Sequence, residues 1–194
     1  EFEPLNAKTI RILLIEANSG DATLLKEMLK DCNFTDSELV HAERLSDLFE
    51  LTRSKSFDVL LLDLNLPDSS GLDTIATVHS QAPHIPIVVL TGFDDEELGV
   101  NAIRLGAQDY LVKSQVDGVM LGRSIRYAIE RHNLRTELIT LSLRDELTGL
   151  LNRRGFMALG TQHLHLARRM KREFMILFAD LDNMKYINDT FGHA

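Results

Sequence analysis

Three stretches of this chain leave few folds open: "IRILLIE" (10–16), "FDVLLLDLNLP" (57–67) and "IPIVVLTG" (85–92). Each is a short, almost unbroken run of Ile, Leu and Val that ends at a polar residue, a proline or a glycine. A strand that is apolar on both faces needs cover on both, the condition met in parallel sheets with helices above and below. "SELVHAE" (37–43) and "QDYLVK" (108–113) complete a set of five strand patterns. Segments with helical spacing separate them. "SGDATLLKEMLK" opens on cap-type residues and places Leu24, Leu25, Met28 and Leu29 at that spacing. "RLSDLFELTRS" is a second helix with Leu45, Leu48 and Phe49 facing inward, and "GLDTIATVHSQA" a third. "DDEELGVNAIRLGA" is a fourth, with its acids at the positive end of the helix dipole and Gly106 at its close. A long helical stretch begins near Val116. The expected fold is α/β: a doubly wound, five-stranded parallel sheet.

In such sheets ligands sit beyond the carboxyl ends of the strands, near a topological switch point. Glu16, Asp63, Thr91 and Lys113 each end a predicted strand. Singly, each has a structural explanation. Asp63 can cap the turn before "LPDSSG", Thr91 can cap the next helix, and Lys113 can lie on the surface. Together at one sheet edge they suit phosphoryl transfer. A carboxylate can attack a phosphoryl group to form an aspartyl-phosphate. A divalent cation offsets the charge of the approaching oxygens, while a hydroxyl and an ammonium grip them.

The stretches "LLIEANSGDATLL", "DVLLLDLNLPDSSGLD", "VVLTGFDDEE" and "GAQDYLVKSQ" occur in this order. Through them residues 8–130 resemble the receiver domain of bacterial two-component response regulators, a flavodoxin-like fold. The resemblance implies Asp63 as phosphoacceptor and Thr91 and Lys113 as phosphoryl-binding switch residues. Tyr110 would be the aromatic that changes rotamer with Thr91. It also implies Mg²⁺ held by Glu16, Asp63 and the backbone carbonyl of Asn65, and a sensor histidine kinase or phosphotransfer protein as donor. One position departs from the family. Two adjacent acids usually follow the first strand, and here the pair is Glu16–Ala17. The second acid is the usual direct metal ligand, so Ala17 removes one carboxylate from a three-carboxylate pocket. A water can take that place, or Glu16, one methylene longer than Asp, can reach the ion. A degenerate receiver that switches little is the remaining alternative.

Residues 131–143 are expected to form a signalling helix or linker. Leu134, Leu138 and Leu141 recur at spacings of four and three, which suits a short coiled-coil-like seam or an amphipathic helix packed on its own chain. "RRGFMALGTQHLHLARRMKR" presents Phe156, Leu159, Leu164 and Leu166 among basic residues. No second ligand pair accompanies His163 and His165, so a surface or core role is expected for both. "FMILFADLDNMKYINDTFGHA" then reads as a strand ending at carboxylates. Acids there suit Mg²⁺, Lys185 a phosphate, and an Asn amide a base edge.

"DELTGLLNRRGF" followed by "FADLDNMKYINDTFGH" resembles the opening of the GGDEF domain of diguanylate cyclases, which condense two GTP molecules into cyclic di-GMP. This resemblance covers residues 144–194, about the first third of such a domain, and implies a truncated α+β cyclase fragment. Asp180 would bind Mg²⁺ with the Leu181 carbonyl as a second ligand; Lys185 would face the phosphates and Asn188 the guanine. The later guanine-reading acid and the signature loop of that family are not among these residues. They are therefore expected to hold half of a GTP site, to catalyse nothing alone, and to leave the apolar run 174–180 without its sheet neighbours.

The net charge of −8 is unevenly spread. Residues 1–130 carry 22 acidic against 11 basic residues, a balance of −11; residues 131–194 carry 7 against 10, a balance of +3. So acidic a main domain argues against a nucleic-acid partner, and "ARRMKR" (167–172) reads as a solvated helix face. No run approaches the ~18 apolar residues of a membrane span. "EFEPLNAKTI" has neither the basic nor the apolar region of a secretory signal, and Glu1–Phe2 resemble a cloning remnant. Cys32 is the only cysteine, which fits a reducing cytoplasm. The expected function is that of a response regulator phosphorylated on Asp63. It would act as a homodimer through receiver and linker helix and control a GGDEF output that uses GTP in the full-length protein. A stand-alone receiver serving as an interaction module or phosphate sink is the alternative.

Overall fold

The computed structural model describes residues 9–32, 34, 36–92, 96–145 and 147–180, and beyond these 182, 183, 186, 189, 190 and 192. The chain divides into two units, residues 1–138 and 139–194. In the first, β1 (Ile10–Ile15), β2 (Ser37–Ala42), β3 (Val59–Asp63), β4 (Ile87–Thr91) and β5 (Asp109–Val112) form one parallel sheet in the order β2-β1-β3-β4-β5. They alternate with α1 (Ser19–Lys30), α2 (Leu48–Ser54), α3 (Leu72–Gln81) and α4 (Glu96–Arg104), and α5 (Gly118–Ser142) follows β5. A 3-10 turn, Leu45–Asp47, leads into α2. The doubly wound, flavodoxin-like sheet is the one expected.

Alternation along each strand explains why the runs are apolar throughout. Leu13, Ile15, Leu60 and Leu62 point to one layer, closed by Leu48 of α2 and by Ile75 and Val78 of α3. Ile12, Leu14, Val59 and Leu61 point to the other, closed by Leu25 and Leu29 of α1 and by Leu121 and Ile125 of α5. Successive strand residues serve opposite layers, so each position must be apolar. Phe49, expected to face inward, is not core, and neither is Leu24 of the α1 pattern. Leu24 is 51% exposed and Phe49 45%. Neighbouring helical residues diverge by about 100°, and Leu25 and Leu48 take the inward places. Phe49 instead has the Arg53 guanidinium over its ring, 5.4 Å from the centroid.

Two glycines let α5 cross the end of α1 at backbone distance. A methyl group on Gly118 would stand 2.8 Å from the Met28 carbonyl oxygen, and one on Gly122 3.0 Å from the Cys32 Cβ. Cys32 is buried at this crossing, its Sγ 3.2 Å from the Met28 carbonyl and 3.1 Å from that of Gly118. Burial pushes its thiol up to about 11.

In the second unit a tight turn joins the end of α5 to α6 (Arg153–Arg169). Asn152 organises it. Its Oδ1 accepts from the Gly155 N–H at 3.0 Å and caps α6, while its Nδ2 donates to the carbonyls of Ser142 (2.8 Å) and Arg144 (3.2 Å). One side chain thus satisfies backbone groups at two helix ends. The strand expected at 174–180 does not form. Residues 172–180 carry no regular secondary structure, and Met175, Leu177 and Phe178 are almost fully exposed. A strand exists only through its ladder partner, and no described segment pairs with this one. Among the described residues no helix is long and apolar enough to cross a membrane.

Candidate functional site

From β1 the sheet grows in both directions, to β2 and to β3, and such a reversal opens a crevice at the carboxyl ends of the strands. Glu16, Asp63, Thr91 and Lys113 all line one cleft there, of about 680 Å³, together with Ala17, Asp21 and Asn65. Asp63 is the last residue of β3 and Thr91 the last of β4, and both are buried. Lys113 follows β5 directly, its backbone N–H donating to the Thr91 carbonyl at 2.7 Å. Its ammonium bonds to Glu16 Oε2, reaches Asp21 Oδ2 at 2.8 Å and stands 3.2 Å from Asp63 Oδ2. Glu16 is fully buried, and its other oxygen accepts the Asn18 N–H at 2.8 Å. Both Glu16 oxygens are therefore engaged.

Three carboxylates around one ammonium set the electrostatics. Burial dominates at Glu16 and raises its pKa despite the bond to Lys113. Burial works against the Lys113 cation too, but the bonds with Asp21 and Glu16 and the Asp63 charge outweigh it and hold Lys113 above the ordinary lysine value. Lys113 is thus a fixed positive charge at neutral pH.

Asn65 lies in the turn after β3, paired across it with Ser70, and the Gly71 N–H closes the turn onto the Leu64 carbonyl at 2.8 Å. Gly71 has φ +64°, which favours a residue without Cβ. Tyr110, on β5, is half-buried, and its ring lies against α4 at Gly99. A methyl group there would come within 3.0 Å of the ring.

Sequence reasoning missed Asp21. It sits in the first turn of α1, where an acid already has a local explanation in the helix dipole. The signal was Asn18. Its Oδ1 accepts from the N–H groups of Gly20 (2.8 Å) and Asp21 (3.1 Å), which fixes Asp21 at the open end of α1, beside the end of β1.

The oxygen donors here are of the kind Mg²⁺ prefers, but as placed they do not fit a resident ion. Residue 17 offers no side-chain donor, both Glu16 carboxylate oxygens already accept a hydrogen bond, and an ammonium stands where the carboxylates converge. Among the described residues no group of three acidic, His or Cys side chains is arranged to hold a metal. In the second unit Asp180 lies on the exposed segment 172–180. Leu181, Lys185 and Asn188 lie outside the described residues, so of the expected GTP half-site only Asp180 is placed.

The family model for the response regulator receiver domain matches residues 12–125, and that for the diguanylate cyclase GGDEF domain matches residues 142–194. The chain is 34% identical over 115 residues to the cell cycle transcriptional regulator CtrA of Caulobacter vibrioides, covering 59% of this chain and 48% of that protein. It therefore spans about half the length of that curated relative. The signal receiver domain of a putative Luxo repressor protein from Vibrio parahaemolyticus superposes with a TM-score of 0.58 at 27% identity, covering 68% of this chain and 98% of that one. The receiver domain of a modulated diguanylate cyclase from Desulfovibrio desulfuricans G20 shares the fold, with a TM-score of 0.56 at 24% identity and 66% and 99% coverage. Because the matched span 12–125 runs from β1 into α5 and takes in most of the sheet and every residue of the cleft, the chain belongs to the response regulator receiver domain family.

Proposed function

We propose that this chain accepts a phosphoryl group on Asp63 and passes the change along α5 to a diguanylate cyclase segment of the GGDEF type. The observation that carries the reading is the Asp63 carboxylate 3.2 Å from the Lys113 ammonium, with Thr91 at the end of the next strand in the same cleft. An Asp63 oxygen attacks the phosphorus of a phosphohistidine or a small acyl phosphate. The new P–O bond forms as the bond to the leaving group breaks, its electron pair departing with that group. Lys113 and the Thr91 hydroxyl then face the phosphoryl oxygens and draw off their charge.

In this function residues 8–130 are a receiver, 131–143 a signalling helix and 144–194 the opening of a cyclase domain. A sensor histidine kinase or phosphotransfer protein supplies the phosphoryl group, and the setting is cytoplasmic. Two copies associate through the receiver and linker helix, where Leu134, Leu138 and Leu141 are exposed on α5. In the full-length protein Asp180, Leu181, Lys185 and Asn188 serve GTP, and DNA is not a partner. Intact-mass spectrometry after incubation with acetyl phosphate tests the first step. The chain is expected to gain the mass of one phosphoryl group and Asp63→Asn to gain none. No gain in the unmodified chain, or equal gain in both, overturns the reading. Cyclic di-GMP formation by the full-length protein, with and without the phosphodonor, tests the output.

A further inference from the structure

Lys113 is fully committed. An ammonium has three N–H donors, and three carboxylates stand around this one: Glu16, Asp21 and Asp63. A phosphoryl oxygen on Asp63 can take over the Asp63 contact, but gripping a second one requires Glu16 or Asp21 to let go. Glu16 is fully buried and tied on its other side to the Asn18 N–H, so its release would strand a carboxylate in the core. Asp63 carries the incoming group. Asp21 differs from both: its side chain is 39% exposed, in the first turn of α1, where water and the helix N-terminus can stabilise a freed carboxylate.

We propose that Asp21 is a positioning residue that holds Lys113 in a resting place, so that Asp21 and the phosphoryl group on Asp63 compete for one ammonium. The proposal rests on Asp63 being the phosphoacceptor. It accounts for a carboxylate in the cleft that the phosphoryl-transfer chemistry does not use. It also gives the cleft a third acid, from α1, although residue 17 is alanine. The competition sets a threshold. Full engagement of the phosphoryl group by Lys113 breaks the Asp21–Lys113 pair, and dephosphorylation restores it.

The full chain and its Asp21→Asn variant are titrated with beryllofluoride, a phosphoryl mimic, under identical solution conditions, with binding read from backbone amide shifts. Asp21→Asn is expected to bind about three- to tenfold more tightly, the effect of removing one partly exposed charge-assisted bond from the resting state. Asp21→Glu is expected to return affinity towards that of the unmodified chain. A merely structural role for Asp21 would weaken binding or leave it unchanged, and either result overturns the proposal. A second readout needs no phosphoryl group. The ¹⁵N signal of the Lys113 ammonium should show slow proton exchange in the unmodified chain and fast exchange in Asp21→Asn; identical exchange in both overturns the proposal. If neither chain binds beryllofluoride while the exchange difference is present, the phosphoacceptor reading fails and the competition with it, leaving an ion pair without that role.

Discussion

Asp68 lies in the turn after β3, and the backbone N–H groups of Leu45 (3.0 Å) and Ser46 (2.9 Å) both end on its carboxylate. The 3-10 turn before α2 has no side-chain cap of its own, so Asp68 caps it from another loop. Its slight burial would raise the carboxyl pKa, but the N–H groups of Ser46 and Leu45 outweigh that and hold it below the usual 3.8. A carboxylate with a lowered folded pKa stabilises the fold fully above its unfolded value and loses that contribution as pH falls through the folded one. Asp68→Ala is therefore expected to cost about 1 kcal/mol at neutral pH, as other lost caps do. Urea melts should show the gap to the unmodified chain closing below pH 3.8. An unchanged gap at low pH would show that the carboxylate charge is not what matters. Glu16, Asp63, Thr91 and Lys113 were legible in the sequence because each ends an apolar run. Asp21 and Asp68 were not, because a carboxylate inside a helix or turn pattern is already explained locally and the partner that gives it a role is distant in sequence.

At the scale of elements, the crossing of α5 over α1 makes the same substitution act oppositely in two helices. Gly118→Ala would push a methyl group to 2.8 Å from the Met28 carbonyl, a backbone atom that cannot turn aside. Such overpacking is expected to destabilise the first unit by about 1–3 kcal/mol. Gly160→Ala in α6 meets nothing within 4 Å. It is expected to raise the stability of that helix by up to about 1 kcal/mol, the ordinary helical gain over glycine. Thermal melts followed by circular dichroism separate the two. Five strands and six helices could be read from apolar runs and helical spacing, because both patterns are local consequences of having a side to bury. The segment 174–180 has the same apolar signature as β3, yet it makes no strand. Apolar content shows what a segment needs buried, whereas the ladder depends on a partner that its own residues do not encode.

For the molecule as a whole, stability is concentrated where both layers meet the sheet. Amides of β3 and β4, whose residues are all buried, are expected to be among the slowest to exchange with solvent. Amides across 174–180 should exchange at nearly unprotected rates in dilute solution and gain protection only as protein concentration rises, since an apolar segment with open edges invites pairing with another chain. Protection there in a verified monomer would refute this. The placement of Tyr110 also has an optical consequence. The protein has no tryptophan and three tyrosines, and Tyr127 and Tyr186 are well exposed while Tyr110 is half-buried against Gly99. An aromatic ring gives a strong near-ultraviolet dichroic band when its surroundings are fixed and asymmetric. Most of the tyrosine band of this protein should therefore come from one residue, so any movement of that ring on phosphorylation can be followed by eye on a spectrometer, without a label.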